Sequence, residues 1–111
     1  MPTRIKTIAA LVAVLPSLAI SAAQAAGAED AQKLYTRSVA ATCANCHGTE
    51  GRALDDATVP GLAGMSADYI FSQMDAFKKG ERQGTIMHQI AKGFNEAQTR
   101  QLAEYFASQQ R

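Results

Sequence analysis

The chain has no tryptophan, only three prolines, and only two cysteines and two histidines in 111 residues. It has no run of alternating apolar and polar residues that reads as a strand, no internal repeat, no low-complexity tract and no second domain. With alanine abundant, these absences fit a compact helical fold. No apolar stretch reaches the roughly twenty residues that a membrane-spanning helix needs. Charge of one sign is also missing: eleven basic residues face ten acidic ones. That balance argues against nucleic acid or an anionic membrane surface as the main partner.

The two cysteines fall together in Cys43-Ala44-Asn45-Cys46-His47. Read as C-x-x-C-H, this is the attachment sequence of a c-type haem. Two thiols at this spacing can each form a thioether to a haem vinyl group, and the adjacent imidazole can turn onto the iron from the same short turn. Three other readings compete. One is chance occurrence of a short pattern. A disulfide redox C-x-x-C normally opens a helix after a strand, and no strand is expected here. A structural zinc site needs four ligands, and beyond Cys43, Cys46 and His47 the only other histidine is His88.

Residues 1–25 read as a removed signal peptide. Arg4 and Lys6 make a basic start, Ile8 to Ile20 is apolar apart from Pro16 and Ser17, and Ala23-Gln24-Ala25 offers small residues for cleavage. A cut after Ala25 leaves residues 26–111, one small domain with nine basic and ten acidic residues. A domain of that size usually needs a staple or a metal to be firmly stable. A covalently held porphyrin would be that staple.

The spacing predicts a first helix over residues 29–41, with Ala31, Leu34, Tyr35, Ser38 and Val39 on one face and Leu34 and Tyr35 packing in the core. From Gly48 to Gly64 periodicity stops, giving a loop long enough to need something to fold around. Pro60 stands out in it: proline keeps its carbonyl, which can accept a hydrogen bond from the unligated ring nitrogen of His47. A second helix starts at the N-cap Ser66 and ends at Gly80, with Ile70, Met74 and Phe77 as its apolar stripe. Lys78, Lys79 and Arg82 form the basic cluster of the mature chain, read as helix-end charges in water, as a docking patch for an acidic partner, or as charges that neutralise a haem propionate. A short helix within Thr85 to Lys92 and a last helix capped by Asn95, with Gln98 completing a capping box, close the chain. The last helix is expected to pack across the first.

A second axial ligand decides between electron transfer and ligand chemistry. Met74 lies on an apolar stripe and reads as core. Met65 follows Pro60 by only five residues, which keeps it on the His47 side if Pro60 holds that ring. Met87, forty residues after His47, can be brought over by a glycine-flanked loop. It is the expected ligand, with His88 and an open position as alternatives.

At this point the chain resembles the class I c-type cytochromes. The resemblance rests on Cys43-Ala44-Asn45-Cys46-His47-Gly48, Pro60-Gly61-Leu62-Ala63-Gly64, Tyr69-Ile70, Gln73-Met74, Phe77-Lys78-Lys79-Gly80-Glu81-Arg82, Met87 with Ile90-Ala91, and Leu102-Ala103-Glu104-Tyr105-Phe106-Ala107. It is most similar to the small bacterial periplasmic members whose branch includes the haem subunit of sulfide-oxidising flavocytochrome c. The resemblance implies an all-α fold of about four helices around one covalent haem c, with thioethers from Cys43 and Cys46, His47 and Met87 on the iron, and the Pro60 carbonyl on His47. It also implies haem attachment outside the cytoplasm, hence a periplasmic location with no stable membrane insertion. Many relatives in this branch carry two haem domains, whereas a second C-x-x-C-H is absent here. The expected function is one-electron transfer between redox proteins, such as a terminal oxidase or reductase. A dedicated haem subunit serving a sulfide-oxidising flavoprotein is the alternative, and an open-haem sensor or enzyme the lesser one.

Overall fold

In the computed structural model the backbone is described for residues 8–111 and the side chains for residues 24–111. Arg4 and Lys6, the basic start of the expected signal peptide, lie outside the described residues. Four α-helices follow one another: α1 Ile8–His47, α2 Ala67–Lys79, α3 Met87–Ile90 and α4 Glu96–Ala107, with 3-10 turns at Thr49–Gly51 and Ala91–Gly93. Among the described residues there is no strand, and no helix is long and apolar enough to cross a membrane. The chain divides into two compact units, Met1–Leu34 and Tyr35–Arg111. In the first, the described side chains are exposed and Lys33 pairs with Glu29 at 2.8 Å. The second contains the core.

α1 departs from the expected residues 29–41 at both ends. Proline is absent from residues 22–47 and Gly27 is their only glycine, so nothing there interrupts an alanine-rich helix. At its C-terminal end the helix does not stop before the cysteines. It continues through them and ends at His47, ahead of Gly48 with its positive φ of 84°. The expected core face is also rotated. Leu34 and Tyr35 are 67 % and 44 % exposed, and the buried positions are Ala40 and His47, with Val39 and Cys43 packed against the core. Alanine carries little hydropathy signal, so an amphipathic reading drawn to Leu34 and Tyr35 misses a seam built on Ala40. Tyr35 instead directs its phenol to α4, accepting a hydrogen bond from Gln98 Nε2 at 2.7 Å.

The core gathers Ala40 from α1, Ile70 from α2 and Leu102, Ala103 and Phe106 from α4. Two alanines in it, Ala40 and Ala103, are nearly or fully buried. α2 begins and ends at the expected caps. Ser66 Oγ accepts from the Tyr69 N–H at 3.2 Å, and Gly80, left-handed at φ 77°, sends its N–H back to the Ala76 and Phe77 carbonyls. Of its apolar stripe Ile70 and Phe77 are buried, and Met74 is half-buried beside Phe71 and Thr99 at an open groove between α2 and α4. α4 has the full capping box: Asn95 Oδ1 accepts from the Gln98 N–H at 2.9 Å, and Gln98 Oε1 accepts from the Asn95 N–H at 3.0 Å.

Candidate functional site

Because α1 continues through residue 47, Cys43, Cys46 and His47 stand at i, i+3 and i+4, which is one face of a helix. Both cysteines are free thiols, Cys43 partly buried and Cys46 exposed. Burial pushes the Cys43 thiol above its ordinary pKa, with a hydrogen bond from Thr42 pulling the other way. A redox C-x-x-C needs the reverse: a thiol lowered at a helix N-terminus, where the dipole favours thiolate. Here the motif sits at a C-terminus, whose dipole disfavours it. The zinc alternative finds no geometry either: among the described residues no three His, Cys, Asp or Glu side chains come together as a metal-ion site.

His47 is buried, and its Nδ1 lies 2.7 Å from the Pro60 carbonyl oxygen. A carbonyl only accepts, so Nδ1 carries the proton and Nε2 keeps its lone pair for a metal. The bond also fixes the ring plane. The position of Pro60 is set by residues that sequence reading counts only as turn formers. After the 3-10 turn, the Gly51 carbonyl accepts from the Leu62 N–H at 2.7 Å and from the Ala63 N–H at 3.1 Å, and the Gly64 N–H donates to the Phe106 carbonyl at 2.9 Å. Gly51 has φ 81°, and a Cβ there would lie 2.8 Å from Phe106 Cδ1. The loop is thus pinned to α4 immediately after the residue that orients His47. At its edges Arg52 pairs with Glu50 and donates to the Gln110 carbonyl.

Met87 opens α3 and is half-buried, while Ile86 and Ile90 on either side of it are 58 % and 37 % exposed. His88, the alternative ligand, has its Nδ1 2.9 Å from the Gly84 carbonyl. Met65 packs against the core beside Leu62. The cationic side chains at the end of α2 have local partners: Lys79 pairs with Asp75 at 2.6 Å, Lys78 donates to the Phe94 carbonyl, and Arg82 donates to Gln73 and stacks 4.6 Å from the Phe77 ring centroid.

The donor set fits a covalently attached haem: two unpaired thiols on one helix face, a buried imidazole with one nitrogen already committed, and a thioether bordered by exposed apolar side chains. A helical domain bearing that set is a class I c-type cytochrome. The chain belongs to the cytochrome c family, whose model matches residues 28–110. The family carries covalent haem c. Over 67 residues the chain is 37 % identical to the cytochrome subunit of sulfide dehydrogenase from Chlorobaculum tepidum, covering 60 % of this chain and 59 % of that protein. It is 36 % identical over 72 residues to cytochrome c-554(548) of Halomonas halodenitrificans, covering 62 % of this chain and 86 % of that one. Among solved structures it is similar to Acidithiobacillus ferrooxidans cytochrome c4, with a TM-score of 0.56 and 39 % identity over 60 % of this chain and 37 % of that one. The chain therefore spans about three fifths of the length of the sulfide dehydrogenase subunit and under two fifths of cytochrome c4.

Proposed function

We propose that this protein is a periplasmic one-electron carrier with a single haem c held by Cys43 and Cys46 and ligated by His47 and Met87. The observation that carries the reading is the 2.7 Å contact between His47 Nδ1 and the Pro60 carbonyl, which leaves Nε2 as the only donor nitrogen of a buried ring. When bound, haem c supplies a one-electron iron couple.

The chain's own residues account for the rest. Cys43 and Cys46 hold the group to the same helix end that carries His47, so anchor and ligand share one rigid element. The Pro60 carbonyl makes the imidazole a stronger donor and prevents its rotation. Met87 offers a thioether, which favours reduced iron and raises the potential. Phe77, Ile70 and Phe106 provide a packed apolar backing that changes little between oxidation states. Residues 1–25 direct export and are removed in the course of it. The partners are redox proteins, and Lys78, Lys79 and Arg82 offer them a basic docking face.

A spectroelectrochemical titration of the holoprotein tests the carrier reading. A single reversible wave with one-electron slope supports it, and an irreversible or multi-step titration contradicts it. A second reading, a dedicated subunit of a sulfide-oxidising flavoprotein, is supported by the likeness to the Chlorobaculum subunit. Size-exclusion of native periplasm separates the two: haem that elutes with flavin well above the monomer mass favours the subunit, and haem that elutes alone favours a diffusing shuttle to an oxidase or reductase.

A further inference from the structure

Met87 begins a helix that cannot stand on its own backbone bonds. α3 has four residues, and its N-cap Ile86 supplies no side-chain cap. Gln89 and Ile90 send their N–H groups to one carbonyl, that of Ile86, at 2.9 and 3.1 Å. Even with the Ala91–Gly93 3-10 turn that continues it, where the Ala91 N–H bonds back to the Met87 carbonyl, so short a helix fixes several residues for few bonds, which is the unfavourable nucleation regime. Its placement depends on contacts from outside the turn.

Two such contacts converge on Gly84. His88 reaches back four residues to put Nδ1 2.9 Å from the Gly84 carbonyl oxygen. Because a carbonyl only accepts, Nδ1 is the protonated nitrogen. Gly84 in turn lies against α2: a Cβ built on it would come 2.8 Å from Cε1 of the buried Phe77 and 3.5 Å from Cβ of Met87. The carbonyl that His88 grips is therefore seated on the core, and the gripped segment encloses Met87.

We propose that His88 is a positioning residue for Met87: its Nδ1–H bond to the Gly84 carbonyl holds the Met87 turn against α2 and keeps the thioether presented. The inference rests on the reading of Met87 as the sulfur ligand. It gives His88 a role distinct from coordination, since the working atom is Nδ1 and Nε2 takes no part.

The test uses holoprotein and imidazole as the external probe, with ferric affinity and the thioether-to-iron charge-transfer band as readouts. In His88→Leu the turn loses its side-chain bond, so imidazole should bind roughly two- to tenfold more tightly, the population equivalent of one neutral hydrogen bond, and the band should weaken. His88→Asn keeps an N–H at the same number of bonds from the backbone and has nothing at the Nε2 position, so it should behave as wild type. His88→Asp has the size of asparagine without the donor and should follow leucine; it serves as the second non-donor variant if leucine does not fold. Wild-type imidazole affinity in both non-donor variants overturns the proposal. So does an asparagine variant that behaves like leucine, because the Nδ1 donor is then not what matters. Met87→Ala is run beside them: if it leaves the band and the imidazole affinity unchanged, the ligand reading itself has failed. If it alters both while the non-donor variants do not, only the role of His88 has failed.

Discussion

Gly51→Ala should be strongly destabilising, and the reason can be separated into two parts. The first is backbone conformation. Gly51 has φ 81°, in the left-handed region where an L-residue costs about 1–2 kcal/mol. The second is space: the new Cβ would lie 2.8 Å from Phe106 Cδ1, 3.0 Å from the Ala63 nitrogen and 3.1 Å from Leu62 Cβ. Phe106 is 1 % exposed and the Ala63 nitrogen is backbone, so neither can swing aside, and overpacking adds roughly 1–3 kcal/mol. Together these destabilise the protein by about 2–5 kcal/mol. Two other glycines isolate the parts. Gly80 has φ 77° with nothing within 4 Å of its Cβ position, so Gly80→Ala should lose only the conformational part, about 1–2 kcal/mol. Gly93 has neither a positive φ nor a near neighbour, so Gly93→Ala should be close to neutral. Urea unfolding of the three holoprotein variants, followed by far-ultraviolet circular dichroism, measures the series at constant m. Equal losses for Gly51→Ala and Gly80→Ala would refute the steric argument. Since the Gly51 carbonyl holds the segment just after Pro60, its variant should also broaden the visible spectrum, and the Gly80 variant should not.

Two further outcomes follow from the caps and the surface charges. Asn95→Ala removes the side-chain acceptor of the α4 capping box and should lower stability by about 1 kcal/mol in the same urea assay, with the visible spectrum unchanged. The Lys79 ammonium is held above its ordinary pKa first by its hydrogen bond to Asp75 and then by that carboxylate's charge. A raised folded-state value means the contribution is fully present at neutral pH and lost as pH rises through the Lys79 titration. Because the pair lies in water, Lys79→Met should barely move the neutral-pH urea midpoint, and the small difference from wild type should vanish in strong alkali.

Much of this fold is legible because its local signals carry their own chemistry. Ser66 and Gly80 bracket α2, and Asn95 with Gln98 starts α4; a cap is a side-chain or backbone bond within a few residues, so the pattern is complete in the local sequence. C-x-x-C-H and the retained carbonyl of Pro60 are legible in the same way, since few chemistries need those groups at those positions. The course of α1 is not. Its buried side runs through Ala40, and alanine is equally at home inside and outside, so the eye goes to Leu34 and Tyr35, which stay exposed. Nor does the sequence announce that the cysteines lie on the helix rather than in a turn after it. The latches through Gly51 and Gly84 are hidden for another reason: each works through a backbone carbonyl and an absent Cβ, and only the assembled tertiary structure gives either a meaning. Gly48-Thr49-Glu50-Gly51 holds the one faint signal, a pair of glycines three apart at the end of a helix.

The central claim is that His47 and Met87 both ligate the iron of a haem fixed by Cys43 and Cys46, and the Met87→Ala holoprotein tests it most directly. Its ferric spectrum, reduction potential and reaction with carbon monoxide in the reduced state at neutral pH should be measured beside wild type. The account predicts that the variant loses the thioether-to-iron band, shifts to lower potential and binds carbon monoxide, while wild type resists it. A variant that keeps the wild-type spectrum and potential would contradict the account and show that sulfur from residue 87 is not on the iron.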